Sequence, residues 1–293
     1  MPEGAEKGIN EEMEKTKRIA SYMLKSLRKA SRTYRLMADG DRIAVGVSGG
    51  KDSQTLLRLL HLWQPSAPFR YDLCAVHVML DGVAPEQTVQ QKVVEDLCRT
   101  LEVPFVIRHG QLSPEEQQSL ECFRCSRRRR MEIFLAAHEL GCNKVALGHH
   151  ADDIAATALL NLFFQGRFES MAPRAELFEG SLTVIRPLAL TEEKDIIYYA
   201  RAAGFWRPSQ CCPLGETSRR SEMRNMLRAV KRTAPRAQVN LYRAIERASG
   251  WAEKSDHAER ADHDRYRNSA ASDRRTRGDS TKMQNLLDWV RDP

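Results

Sequence analysis

The order of apolar and polar positions divides the chain into alternating strands and helices. Ile19, Met23, Leu24 and Leu27 recur at helical spacing among many Lys and Arg, which predicts a helix over 11–37 with one buried face. After the Asp39-Gly40 turn, RIAVGV (42–47) reads as a strand. A glycine-rich turn at 48–52 leads into a helix over 53–63. Further strands are predicted at 72–79, 104–109 (PFVIRH), 144–150 (KVALGHH) and 182–188 (LTVIRPL). Helices fall between them at 85–101, opened by Pro85, at 126–140, at 152–164 and at 191–203. Gly141 and Gly204 end the second and the fourth. A long basic helix, with a break expected at Pro235, fills 217–249.

The predicted strands are almost continuously apolar. Such strands alternating with helices imply an α/β fold: a doubly wound, mostly parallel sheet of the Rossmann type with helices on both faces. Ligands of these sheets sit at the C-terminal ends of the strands. The expected organisation is a basic N-terminal helix (1–40), the sheet domain (41–215), a basic helical segment (216–250) and a polar tail (251–293). Within the tail, TKMQNLLDWV (281–290) reads as an amphipathic docking segment.

Composition narrows the class. In 293 residues, 42% are apolar and 29% charged, which excludes collagen-like, disulfide-scaffold and wholly disordered chains. Lys plus Arg total 46 against 39 acidic residues, a net +7 that favours polyanionic partners. No run approaches the roughly 18 apolar residues of a membrane helix. The opening MPEGAEKGINEEMEK lacks the apolar core of a signal peptide, so the expected compartment is the cytoplasm. Seven cysteines, an odd number, argue against a secreted disulfide framework. Cys74, Cys98 and Cys142 read as small core residues, whereas Cys122/Cys125 and Cys211/Cys212 stand apart.

Two segments at strand ends carry chemistry. The first is Ser48-Gly49-Gly50-Lys51-Asp52-Ser53 between a strand and a helix. Its glycines let backbone amides approach a ligand, its hydroxyls add donors, and Lys51 adds charge. It is not a Walker A loop, since Val45 and Asp52 stand where that pattern needs Gly and Ser or Thr. The second is Gly148-His149-His150-Ala151-Asp152-Asp153. Its carboxylates suit a helix N-terminus, and Asp152 could hold Mg²⁺ beside a triphosphate. His149 or His150 could reach the phosphates or the substrate.

Cys122-Phe123-Arg124-Cys125 is expected just before the helix at 126–140, beside Arg127, Arg128, Arg129 and Arg130, a setting that depresses thiol pKa. Three readings stay open: a redox pair, a zinc site completed by Cys211 and Cys212, or three cysteines holding a [4Fe–4S] cluster with one iron left open.

SGGKDS after a strand resembles the PP-loop ATP pyrophosphatases, whose fold is adenine nucleotide alpha hydrolase-like. Adding CxxC before a basic helix, GHHxDD, IRPLALTEEKDII and a Cys-Pro segment followed by a basic helix, residues 12–245 are similar to the tRNA 2-thiocytidine synthetase (TtcA) family. That resemblance implies an ATP-dependent tRNA sulfurtransferase acting at cytidine 32, with a [4Fe–4S] cluster, ATP and Mg²⁺ as cofactors. It implies catalytic roles for Lys51, Asp52 and Asp152. ATP contacts would fall to residues 48–53, to Ala75, Val76 and His77 at the adenine edge, and to Gly148 and His149. Cys122, Cys125 and Cys212 would hold the cluster, with Cys211 as the fallback. The other partners implied are a sulfur donor and a second copy of the chain. Two alternatives remain. One is a PP-loop tRNA-modifying ligase with structural zinc; the other is a non-catalytic nucleotide-binding RNA-binding or redox module.

The basic runs fit an RNA backbone. Arg127 to Arg130, and Arg219, Arg220 and Arg224 on the later helix, are the expected tRNA contacts. The N-terminal helix adds Lys25, Arg28, Lys29 and Arg32. Phe123 and Trp206 are candidates for stacking on a flipped base.

Overall fold

A computed structural model describes residues 3–80, 87–112, 122–205 and 219–251. Pro85, Trp206, Cys211, Cys212 and the tail from 252 lie outside the described residues, as do the side chains of Cys122 and Phe123. The elements are α1 (Glu3–Tyr34), β1 (Asp41–Gly46), α2 (Lys51–Trp63), β2 (Tyr71–Leu80), α3 (Gln87–Thr100) and β3 (Phe105–Gly110). They continue with α4 (Cys122–Glu139), β4 (Lys144–Ala146), α5 (Ala151–Gln165), β5 (Arg174–Leu177), β6 (Leu182–Ile185), α6 (Glu193–Ala202), α7 (Arg219–Thr233) and α8 (Ala237–Ser249).

The six strands form one sheet in the order β3-β2-β1-β4-β6-β5, parallel except for β5. This is the doubly wound α/β sheet expected from the apolar runs, with a switch in winding direction between β1 and β4. Alternate strand residues face opposite sides. Ile43, Val45, Leu73 and Ala75 join α1, α2, α3, α5, α6 and α8 in the larger core. Ala44, Val76, Val78, Val145 and Val184 pack under α4.

Several boundaries differ from the sequence reading. α4 begins at Cys122 rather than at 126, so the cysteine pair lies inside its first turn, not ahead of it. β4 and β6 stop at Ala146 and Ile185, well short of 150 and 188. Just beyond β6, Pro187 has no N–H to extend the ladder. The basic segment forms two helices, α7 and α8, divided around Pro235 as expected. β5 was not anticipated; it is a short polar edge strand antiparallel to β6.

α1 packs on α2 and α6 through Met23, Leu24 and Leu27. Its last residue, Tyr34, donates to Glu246 of α8 and accepts from the Tyr242 hydroxyl at 3.1 Å. Among the described residues, no helix is long and apolar enough to cross a membrane.

Candidate active site

The two strand-end segments meet at one place. β1 runs into Ser48, and Gly49 turns the chain with φ +81°, a conformation that suits glycine. α2 then starts at Lys51 with Gly50 as its N-cap and no side-chain cap. The first amides of the helix therefore have no intrahelical acceptor and face the loop, an arrangement suited to an anion. The Ser53 hydroxyl braces the loop from inside: it accepts from the Ser48 N–H at 3.1 Å and donates to the Gly50 carbonyl at 3.0 Å.

Gly148, on the loop after β4, lies directly against this turn. A Cβ there would stand 3.0 Å from the Ser53 nitrogen and 3.1 Å from the Asp52 carbonyl carbon. Any side chain at 148 would force the Asp52–Ser53 backbone to give way by a few tenths of an ångström. Two residues on, His150 caps α5; its N–H donates to Asp153 Oδ2 at 3.1 Å.

A network of alternating charges fills the space between the loops. Lys51 Nζ lies 3.1 Å from Asp52 Oδ1 and 3.0 Å from Glu193 Oε1. The Glu193 N–H donates to Asp152 Oδ2 at 2.7 Å. The buried His150 ring stands 3.7 Å from Asp52, 3.6 Å from Asp152 and 3.3 Å from Asp153. From α7, Arg224 pairs with Asp153, and Lys231 lies 3.6 Å from Asp152 and 3.3 Å from Glu192. Burial works against the Lys51 ammonium, but Asp52 and Glu193 together hold it above its ordinary value. Burial likewise opposes charge on His150, but Asp153, Asp152 and Asp52 together outweigh it, so the ring is held toward its cationic form. His149 is the opposite case. Burial, with Arg186 next to it, drives its pKa down to about 3, so it is neutral.

The cysteine helix reaches the same edge. α4 returns the chain from β3 to β4, so it starts where the parallel strands end. Cys125 is buried there in the core under α4. One turn on, the buried Nε of Arg129 has no partner among the described residues. Arg129 also bears on His77. His77 Nδ1 lies 2.7 Å from the Val47 carbonyl. A carbonyl only accepts, so Nδ1 carries the proton. Val47 immediately precedes the phosphate loop. Ala75 and Val76 are fully buried in the middle of β2.

The arginines expected to meet RNA divide into groups. Arg224 turns inward to Asp153. Arg220 donates to Thr157 Oγ1 at 3.0 Å, and Arg219 stacks 4.6 Å above the Phe164 ring. Arg128 lies 3.5 Å from Glu132, and Arg130 is exposed. Glu193 and Arg186 had no assigned role in the sequence, and Lys231 counted there only among the basic residues of the 217–249 helix. The loop after β6 was the signal available, since it is a third strand end on the ligand-binding edge. Among the described residues, no group of three or more His, Cys, Asp and Glu is arranged to hold a metal ion.

Comparison with known proteins agrees with this geometry. A family profile described as a PP-loop domain matches residues 17–243. The tRNA-cytidine(32) 2-sulfurtransferase of Anaeromyxobacter sp. (strain K) is 37% identical over 243 residues, covering 80% of this chain and 81% of that protein. The Geobacter sulfurreducens protein of the same name is 39% identical over 220 residues, covering 72% of this chain and 84% of its own. Among solved structures, the U34-tRNA thiolase NcsA from Methanococcus maripaludis with its [4Fe-4S] cluster superposes with a TM-score of 0.65 at 23% identity. That match covers 76% of this chain and 78% of the thiolase.

Proposed function

The chain belongs to the PP-loop family, alongside the tRNA-cytidine(32) 2-sulfurtransferases, and on that premise we propose that it is an ATP-dependent tRNA sulfurtransferase. It adenylates a cytidine, at position 32 of the anticodon loop, and replaces the 2-oxygen by sulfur. The observation that carries this reading is the closure of Gly148 onto the Ser53 and Asp52 backbone. It makes one phosphate site from two strand ends, with the cysteine helix starting on the same edge.

In the first step the cytidine O2 attacks the α-phosphate of ATP, an O–P bond forms, and pyrophosphate leaves. The amides at the start of α2 and the Ser48 hydroxyl cradle the phosphates. Lys51 leaves Glu193 and meets the charge that develops on the leaving group. Asp152, largely buried on the first turn of α5, is the carboxylate assigned to the Mg²⁺ that accompanies ATP. In the second step sulfur adds at C2, and AMP departs with the former O2.

Cys122, Cys125 and Cys212 are the ligands assigned to a [4Fe–4S] cluster. The surroundings of Cys125 suit one: it sits in an apolar shell, and one turn on Arg129 carries a buried Nε without a partner among the described residues, a cation suited to an anionic thiolate-bound group. When bound, the cluster supplies activated sulfur for the second step. A desulfurase or free sulfide is the assigned sulfur source, and the working unit is a homodimer in the cytoplasm.

The test is an anaerobic assay of the reconstituted protein with tRNA, ATP and sulfide, reading nucleosides by mass spectrometry. The expected products are 2-thiocytidine and AMP in equal amounts. AMP formation with no thionucleoside would move the assignment to an adenylating tRNA ligase. No ATP cleavage in the presence of tRNA would reduce the chain to a binding module.

A further inference from the structure

The reaction above leaves Arg186 unused. It follows β6 on the ligand-binding edge, and 9% of its surface is exposed. One of its terminal nitrogens donates to the Ala172 carbonyl. Its Nε is buried with no partner, and no carboxylate pairs with it among the described residues. The charged groups that bear on it are two more guanidiniums, Arg130 of α4 and Arg220 of α7. Arg220 is held to the same segment of chain, with Nη2 3.9 Å from Met171 Sδ, next to Ala172. Burial and these neighbours pull Arg186 down to about 10. A buried guanidinium without a counter-charge is unfavourable, and two further cations beside it make it more so; of those two, Arg220 also feels Asp153. Such a group is arranged for an anion that arrives from outside, and guanidiniums match phosphate geometry.

Position along the sheet identifies the source. The loop that receives ATP follows β1. Arg186 follows β6, two strands away, or about 10 Å at the usual strand spacing. It lies on the side opposite β2, where the adenine edge is assigned. His149 comes from the loop after the strand between, shares Arg186 and Arg220 as neighbours, and holds a buried Nδ1 without a partner among the described residues. A neutral imidazole there suits an uncharged base.

The geometry points to a phosphate subsite made by Arg186, Arg130 and Arg220, which takes the RNA backbone phosphate beside the reacting nucleotide while His149 faces its base. This subsite rests on the tRNA-modifying reading. Phosphate from ATP is the other source of the same chemistry, and the experiment separates the two.

Arg186→Gln and Arg130→Gln are made in the full-length protein. Binding of substrate tRNA is followed across a salt series, and binding of α,β-methylene ATP is followed by calorimetry. Arg186→Gln is expected to weaken tRNA binding about tenfold, the loss of one charge-assisted contact. It should also make the log–log salt slope shallower by about 0.7, the value for one phosphate of a single strand. Affinity for the ATP analogue stays within about twofold. Arg130 is exposed, so its variant keeps the test valid should Arg186→Gln fail to fold; its slope is expected to change in the same direction. Unchanged tRNA affinity and slope in both variants overturn the subsite alone. Weaker analogue binding with intact tRNA binding assigns the arginines to ATP and also overturns it. A wild-type protein that binds no tRNA overturns the subsite together with the reading beneath it.

Discussion

The Lys51 ammonium stands 3.0 Å from the Glu193 carboxylate, which joins the first turn of α2 to the first turn of α6. The lysine assigned to the phosphates is therefore already paired, and ATP has to replace Glu193. A partly buried pair of this kind contributes on the order of 1 kcal/mol. Glu193→Gln is expected to tighten binding of α,β-methylene ATP by about fivefold in calorimetry. Weaker binding would show that Glu193 supports the nucleotide rather than competing with it. Lys51→Met is expected to slow AMP formation by about 10²–10³-fold, the usual cost of removing one preorganised donor.

Gly148 gives a steric prediction. Gly148→Ala puts a methyl against backbone, not against a side chain that can swing away. Overpacking of this sort costs about 1–3 kcal/mol. Gly50→Ala is the control, because its Cβ would meet only Ser48 Oγ at 3.4 Å. Thermal melting of the two variants should show a clear loss for Gly148→Ala and little change for Gly50→Ala. Equal melting temperatures would mean that the two loops are not tightly apposed.

The buried His77 links pH to stability. Burial holds its pKa below the ordinary 6.5, even though the Val47 carbonyl favours the protonated ring. The folded state therefore prefers the neutral form. Its contribution is complete above pH 6.5 and is lost as pH falls toward the folded value. In urea unfolding between pH 7.5 and pH 5, the wild type should lose stability more steeply than His77→Gln. Parallel curves would exclude His77 as a source of acid sensitivity.

The cysteines separate by environment. Burial pushes Cys98 and Cys142 up to about 11, so neither is a thiolate at neutral pH. Anaerobically purified protein should carry about four irons and four sulfides per chain, as a cubane cluster requires. Cys122→Ala, Cys125→Ala and Cys212→Ala should lose both, while Cys98→Ala, Cys142→Ala and Cys211→Ala retain them. One zinc and no sulfide after reconstitution would rule out the cluster.

The sheet was legible because buried parallel strands are nearly continuous apolar runs, and RIAVGV and YDLCAVHVML are clear examples. The phosphate loop and the α5 cap were legible because their residue types announce anion binding and helix starts. Arg174–Leu177 was not, since four residues of mixed polarity become a strand only through pairing with β6. The true start of α4 was obscured by the arginine run: Ser126 looks like a cap, and a sustained apolar pattern begins only at Met131. Glu193 and Arg186 belong to a third class. Their roles come from what surrounds them, and a charged residue after a strand gives no sign of its future neighbours.

The cations that neutralise the first turn of α5 come late in the chain. Arg224 lies 71 positions after Asp153, and Lys231 follows it. Domains are assembled from the N-terminus as synthesis proceeds. On the ribosome, both loops and the sheet that carries them are thus available before α7 exists. Until residue 231 emerges, the carboxylates of the nascent pocket lack two of their counter-ions, and the pocket is more acidic than the finished one. A chain interrupted before α7 would hold the whole sheet and lack these two cations. The charge balance of the pocket is thus completed only once α7 has been made.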